Sequence, residues 1–467
     1  MENENIVTNS RCCQDPRKGL SLSEDFGNKT LSPCNTETKY VVIGGGPAGL
    51  SGAKALKELG VNFDGFEMGS DFGGLWNIDN PLSTMYESAH LISSKTTTEF
   101  LDFPMSDDTP DYPGHKMMYN YFVDYAKNFN LYDHYYFNTK VQKIEKHGEK
   151  WKVTVINPDF GTLTYIYKGI IIANGTLSKP NIPVFKGHFT GEIIHSAEYK
   201  KASVLQGKKV LVIGAGNSGC DIVVDAVHYA KKADISVRRG YYFVPKYVFG
   251  KPSDTVGGKI RLPRRIKQKF DHFLLKWFTG DPQRFGFPKP QYKMYESHPV
   301  VNTLILHHIG QGDIKVQKNI DYFDGKIVHF KDGHSEEYDT IVLATGYKLD
   351  FPFIDKEHLN WTGMAPELYL NIFHPEYDNL FILGMVEAAG LGWEGRYEQA
   401  KLMARYIKGI ENNTLKALAF KKKKSGKQPD LSGGYNYLKL ERMSFYVHKD
   451  TYRRIVTTEA KGMKDEN

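Results

Sequence analysis

A short apolar run, a glycine-rich turn and an amphipathic stretch occur in this order twice in the chain, and the pair constrains the fold more than any other feature. Tyr40-Val41-Val42-Ile43 leads into Gly44-Gly45-Gly46-Pro47-Ala48-Gly49, after which Leu50, Ala53, Leu56 and Leu59 recur on one face. That pattern predicts strand, tight turn and helix. The glycines have separate tasks: one permits the turn, one lets backbone approach a pyrophosphate, and one lets helix pack on strand. The phosphates then rest on free N–H groups at a helix N-terminus carrying about half a positive charge. A second strand over 62–66 ends in Glu67, at the spacing where a carboxylate reaches adenosine ribose hydroxyls. Taken alone the glycine triplet says little, because with 44 glycines in 467 residues roughly 0.4 copies of G-x-G-x-x-G arise by chance. The flanking strand, helix and acid give it meaning.

The second copy runs from a strand over 208–213 through Gly214-Ala215-Gly216-Asn217-Ser218-Gly219 into a helix over 220–230, beginning Cys220-Asp221. The strand that follows, over 233–237, ends in Arg238-Arg239 instead of an acid. A carboxylate there would repel a 2′-phosphate, whereas arginine receives one, so this site prefers NADPH to NADH. Two turns, one closing in Glu and one in Arg, imply two different dinucleotides. A protein holding both most simply passes a hydride between them, which makes the other dinucleotide FAD.

A chain of this length is expected to form two or three domains. The expected fold class is α/β, with two Rossmann-like dinucleotide-binding domains. Residues 1–38 read as a disordered polar leader, 39–180 and 336–467 as a discontinuous FAD-binding domain, and 181–335 as an inserted NADPH-binding domain. The return at 336 is expected because the strands beyond it, over 338–343 and 380–383, lack a phosphate turn of their own. Further expectations are helices over 119–130, 266–278 and 396–410, and antiparallel strands over 141–144 and 151–156. In the loop Gly73-Gly74-Leu75-Trp76, paired glycines allow close approach of backbone to a ligand, and Trp76 either covers a flat ring or serves as a core lid. Glu394 and Gln399 either line the flavin side or lie on an exposed helix face.

No run approaches the roughly 20 apolar residues that span a bilayer, and the polar N-terminus has no signal-peptide core. The expectation is a cytoplasmic protein without a membrane anchor. Its four cysteines, Cys12, Cys13, Cys34 and Cys220, supply neither a disulfide framework nor metal-ligand spacing. They also supply no redox pair beside a flavin, which argues against a disulfide reductase. The net charge of +7 is concentrated in Arg261, Arg264, Arg265, Lys267 and Lys269, and in Lys421 to Lys424. Both clusters read as solvated surface, not as nucleic-acid or membrane patches, because interleaved exposed aromatics are not evident in either.

Between the two turns lies Phe189-Thr190-Gly191-Glu192-Ile193-Ile194-His195-Ser196-Ala197-Glu198-Tyr199. It matches the F-x-G-x-x-x-H-x-x-x-Y fingerprint of flavin-containing monooxygenases, of which about 0.005 copies are expected by chance. The resemblance also covers Gly73 to Trp76, Ser94-Lys95, Asp102-Phe103-Pro104, Gly216 to Asp221 and Ala344-Thr345-Gly346-Tyr347, and runs from about residue 39 to 410. It implies that NADPH reduces FAD, that O2 forms a flavin C4a-hydroperoxide, and that an amine nitrogen or sulfide sulfur takes the distal oxygen. No side chain need act as acid or base on such a substrate. His195 is therefore expected to tie the linker between domains.

The resemblance also exposes a departure. In animal-type and trimethylamine-oxidising members of the family an asparagine beside the flavin helps hold NADP+, and the gapless alignment on Ser94-Lys95 and Asp102-Phe103-Pro104 places Ile92 there. Isoleucine cannot hydrogen-bond, so the peroxide is expected to be shorter-lived unless Ser93 or Ser94 substitutes. The rivals are a Baeyer–Villiger ketone monooxygenase, whose fingerprint usually ends in Trp where this chain has Tyr199, an NADPH oxidase or flavin reductase, and a non-catalytic nucleotide sensor. The expected partners are a small-molecule substrate and O2, with no nucleic acid. Oligomeric state is open, a homodimer included.

Overall fold

The computed structural model describes residues 33–256 and 263–464. Cys12, Cys13 and Arg261, with most of the expected leader, lie outside them. Two five-stranded sheets, both wholly parallel, carry the architecture. The first has the strand order Leu380–Ile382, Gly169–Ile172, Tyr40–Ile43, Phe63–Phe66, Tyr135–Tyr136. Its central strand pairs Tyr40 with Phe63 on one side and with Gly169 on the other. Side chains alternate across the sheet: Tyr40, Val42 and Ile171 enter one core, and Val41, Ile43, Ile170 and Ile172 the opposite one. Apolar runs without polar alternation are what a parallel sheet covered on both faces requires. An antiparallel sheet of Lys140–His147, Lys150–Asn157 and Gly161–Tyr167 forms the crossover into Gly169–Ile172.

The second sheet has the order Glu192–His195, Thr340–Leu343, Lys209–Ile213, Lys232–Ser236, Ile314–Gln317. Again Val210, Val212 and Val342 face one core, while Leu211, Ile213, Ile341 and Leu343 face another. This pairing moves the expected domain boundary at 335/336. Thr340–Leu343 aligns Val210 with Thr340 and Glu192 with Thr340, so it is an interior strand of the second sheet, not a strand of the first. The chain crosses back only after Leu343, where Tyr347–Lys348 pairs antiparallel with the outgoing Lys179–Pro180.

The helix Glu394–Glu411 packs against Pro47–Glu58 and is covered in turn by Leu415–Lys424 and Lys449–Gly462. Part of the basic run at 421–424 is thereby internal. Lys424 is buried, donating to the carbonyls of His374, Pro375 and Tyr377 at 2.8, 3.1 and 3.2 Å. Lys421 pairs with Asp378 and Lys423 with Glu459. No helix among the described residues is long and apolar enough to cross a membrane.

Candidate active site

Both glycine turns fold to the same backbone geometry. Gly44 has φ +109° and Gly214 φ +108°, a region that side chains disfavour. A Cβ on either would meet a carbonyl of the neighbouring strand's end, Ala173 O at 2.6 Å or Ala344 O at 2.4 Å. The helices Pro47–Glu58 and Asn217–Tyr229 then start from Gly46 and Gly216, neither with a capping side chain nor with an acid in the first turn. Gly49 and Gly219 close the motif, since a Cβ on either would stand 1.9 Å from the carbonyl oxygen of Gly44 or Gly214. Each helix thus begins pressed onto its own turn, with uncapped N–H groups aimed outward for an anion.

The first turn opens into a cavity of about 260 Å³ lined by Gly44, Gly46, Pro47, Ala48, Glu67, Gly74, Leu75 and Trp76 among others. Gly45 lies behind it, its N–H donating to Glu67 Oε2 at 2.5 Å, while Gly69 N and Asn80 Nδ2 donate to Oε1 at 2.7 and 3.1 Å. Burial raises the Glu67 carboxyl above its ordinary range, and the Gly69 and Gly45 amides work against that rise. Gly46 and Gly74 meet backbone to backbone, a Cβ on Gly74 coming 2.8 Å from Gly46 Cα. Trp76 is half-buried, edge-on to Trp393 with ring centroids 6.2 Å apart, and both indoles line the cavity.

The lining residues that the sequence reading did not single out include Asn174, Trp393 and Arg396. Asn174 follows the strand Gly169–Ile172; its Nδ2 donates to Asp350 O at 3.1 Å, while its buried Oδ1 lacks a partner among the described residues. Trp393 and Arg396 enter from the start of the helix Glu394–Glu411. The one local signal for this wall is Gly384, at φ +82°, where a Cβ would stand 2.7 Å from Ala48 Cβ. Glu394 and Gln399 point elsewhere: Glu394 Oε2 accepts from Leu101 N, and buried Gln399 bridges Gly384 N and Tyr452 OH.

At the second turn Asn217 Oδ1 accepts from Val301 N at 2.7 Å, and Gly216 faces open space, with nothing within 4 Å of a built Cβ. Arg238 is exposed and makes no ion pair among the described residues, whereas Arg239 leans over the Tyr241 ring. Cys220 and Asp221 turn away from the groove. The Cys220 thiol is in the core and burial pushes its pKa up. Asp221, also raised by burial, accepts from Asn302 Nδ2 at 2.6 Å and from Tyr86 OH at 2.9 Å. One helical turn on, Asp225 accepts from Ser88 and Tyr199 at 2.5 and 2.9 Å. The two aspartates therefore hold the segment Tyr86–Ser88 of the first domain on the second.

The linker residues behave alike. His195 Nδ1 faces the Ala197 N–H at 3.1 Å and so must accept, leaving Nε2–H to donate to Gly346 O at 3.1 Å. Burial lowers its pKa, opposed by the Gly346 carbonyl. Thr345 Oγ1 donates to Asn181 O at 2.5 Å. Thr345 and Gly346 thus fasten the two crossing linkers to each other. Ile92, Ser93 and Ser94 are not on the cavity wall: Ser93 Oγ meets Thr98 Oγ1 at 2.7 Å, and Ser94 N donates to Asp254 at 2.7 Å. Among the described residues no group of His, Cys, Asp and Glu is arranged to hold a metal.

Two parallel sheets, each ending in a glycine cradle, and a carboxylate-lined cavity at the first define an α/β oxidoreductase built for two dinucleotides. The profile described as flavin-binding monooxygenase-like matches residues 37–436, beyond the span of the sequence resemblance, and the chain belongs to that family. The N-oxide-forming dimethylaniline monooxygenase 2 of Oryctolagus cuniculus is 31% identical over 398 residues, covering 80% of this chain and 74% of the relative. Among solved structures, ε-caprolactone-bound cyclohexanone monooxygenase aligns with TM-score 0.68 at 18% identity, covering 91% of this chain and 98% of its own. OTEMO in complex with FAD and NADP aligns with TM-score 0.65 at 19% identity, covering 80% and 86%.

Proposed function

We propose that the protein is an NADPH- and O2-dependent monooxygenase that uses FAD to oxygenate soft nucleophiles, an amine nitrogen or a sulfide sulfur. The observation that carries this reading is the pair of matched cradles, the first next to the Glu67 carboxylate and the second next to exposed Arg238. FAD fits the first: uncapped helix amides for its pyrophosphate, Glu67 for its ribose, the unpartnered Asn174 Oδ1 as an acceptor, and two indoles against water. Bound there, it supplies two-electron acceptance from a nicotinamide and transfer of one oxygen atom from O2. NADPH fits the second, with Arg238 receiving the 2′-phosphate.

The chain's own contribution is positioning and exclusion of water. His195, neutral and committed to Gly346, holds linkers and moves no proton. The side chains lining the cavity include no His paired with an acid, which suits substrates that are nucleophiles already. The N-oxide-forming activity in the name of the rabbit relative supports nitrogen over ketone oxygenation, as does Tyr199 at the end of the fingerprint. The test is product analysis with a tertiary amine, a thioether and a cyclic ketone, with NADPH, O2 and hydrogen peroxide measured together. N-oxide or sulfoxide formed in proportion to NADPH consumed is expected. Lactone from the ketone alone, or peroxide equal to NADPH with every substrate, would overturn the reading.

A further inference from the structure

The helix Arg264–Thr279 carries Ile266, Phe270, Phe273 and Trp277 at intervals of four, three and four residues, which puts them on one stripe. On a helix packed against a soluble core that stripe faces inward. Here it faces solvent: Ile266 is 55% exposed, Phe270 51%, Phe273 60% and Trp277 77%. The side turned to the protein holds Gln268 and Asp271, with half-buried Leu275 as its apolar residue. Gln268, the helix's one buried residue, donates to Met294 O at 2.9 Å, and Asp271 accepts from Tyr295 OH at 2.5 Å. The patch is extended by Phe249, which is exposed, held at φ 51°, and edge-on to Phe278 with centroids 5.4 Å apart. A bulky side chain in left-handed backbone is costly to maintain.

At 100° per residue, Arg265, Lys269 and Lys276 flank one side of the stripe and Lys267 the other. The helix has five Lys or Arg against one acid, Asp271. Lys267 pairs with Asp271 and Lys276 with Asp281, while Arg265 and Lys269 have no ion pair among the described residues. This corrects the expectation that the cluster lacks interleaved exposed aromatics: they recur with the helical period.

We infer that this face is an interfacial docking element for an anionic lipid surface. The aromatic stripe enters the headgroup–acyl boundary, and the basic flanks meet lipid phosphates and carboxylates. The charge selects the occupant. A second copy laid face to face would set basic flanks against basic flanks, whereas an anionic membrane matches stripe and flanks together. With 16 residues the helix lies on the surface and does not span it.

The test uses the FAD-loaded full chain in co-sedimentation with vesicles of phosphatidylcholine alone or mixed with phosphatidylserine. Binding to the mixed vesicles, weakened by salt and accompanied by a blue shift of tryptophan emission, is expected. Phe273→Ser and Trp277→Ser should each lower partitioning about tenfold. Arg265→Gln and Lys269→Gln should each lower it about fivefold on the anionic vesicles. All four variants should keep wild-type flavin content and melting temperature, because these side chains touch solvent. Absent binding, or binding unchanged in the two serine variants, overturns the proposal. So does a dimer that Trp277→Ser dissociates and that vesicles fail to compete.

Discussion

The backbone N–H of Gly45 donates to Glu67 Oε2 across 2.5 Å, tying the turn after one strand to the carboxylate after its neighbour. The same carboxylate satisfies Gly69 N and Asn80 Nδ2, so it shapes the cavity before it meets any ribose. Glu67→Ala leaves these donors without their acceptor, a cost of about 1–3 kcal/mol. The variant should purify with well under half its flavin and melt lower, recovering in part on added FAD. Flavin-to-protein absorbance and thermal melts check this; full flavin content with an unchanged melt would refute it.

Gly216 and Gly219 separate ligand approach from fold. A methyl at Gly219 would stand 1.9 Å from Gly214 O, so Gly219→Ala has to push the helix off its strand. That should cost several kcal/mol, about 3 or more for overpacking against backbone, and yield little soluble protein. A methyl at Gly216 meets nothing within 4 Å, and its φ of −74° suits alanine. Gly216→Ala should fold with wild-type melting temperature and flavin content. It should raise the KM for NADPH about tenfold, because the methyl occupies the phosphate path. An unchanged KM would mean the nucleotide does not approach here.

On the proposed function, Arg238 is the residue expected to set cofactor preference. It is exposed and has no ion pair among the described residues, the state of a cation kept for an anionic ligand. A charge-assisted hydrogen bond to a phosphate contributes roughly 1.5–3 kcal/mol. Arg238→Ala should therefore reduce the ratio of kcat/KM for NADPH to that for NADH by about ten- to a hundredfold, mainly through KM. Steady-state kinetics with both cofactors measure it, and an unchanged ratio would shift the role to Arg239.

Legibility followed sequence distance. The strand–turn–helix units were readable because the contact that presses each helix onto its turn, Gly49 against Gly44 or Gly219 against Gly214, is closed within a few residues. The place of Thr340–Leu343 was not, because it wedges between Glu192–His195 and Lys209–Ile213 through pairings more than 100 residues apart. The apparent lack of a phosphate turn after residue 335 suggested return to the first domain, but an interior parallel strand beside the one that carries the turn needs none of its own. Asp221 looked like part of a nucleotide motif by position. Its direction was set by Tyr86 and Asn302, which only the fold brings near. In the helix Arg264–Thr279 the period was visible, but a period cannot tell which face looks outward.

His374 ties stability to pH. Its Nδ1 accepts from Glu376 N and Tyr377 N at 3.1 and 2.9 Å, so a proton added there would break both bonds. Burial, helped by Lys424 and His358, lowers its pKa to about 4. An unfolded histidine titrates near 6.5. Between these values the unfolded chain takes up a proton that the folded one refuses, so this contribution is full above about pH 6.5 and is lost as pH falls toward 4. His374→Asn keeps an acceptor for both amides and removes the titration. It should cost about 1 kcal/mol at pH 7.5, where ring stacking on Tyr377 is lost, yet lose less melting temperature than wild type between pH 6.5 and 5. Parallel curves for the two proteins across that window would mean that His374 is protonated in the folded state.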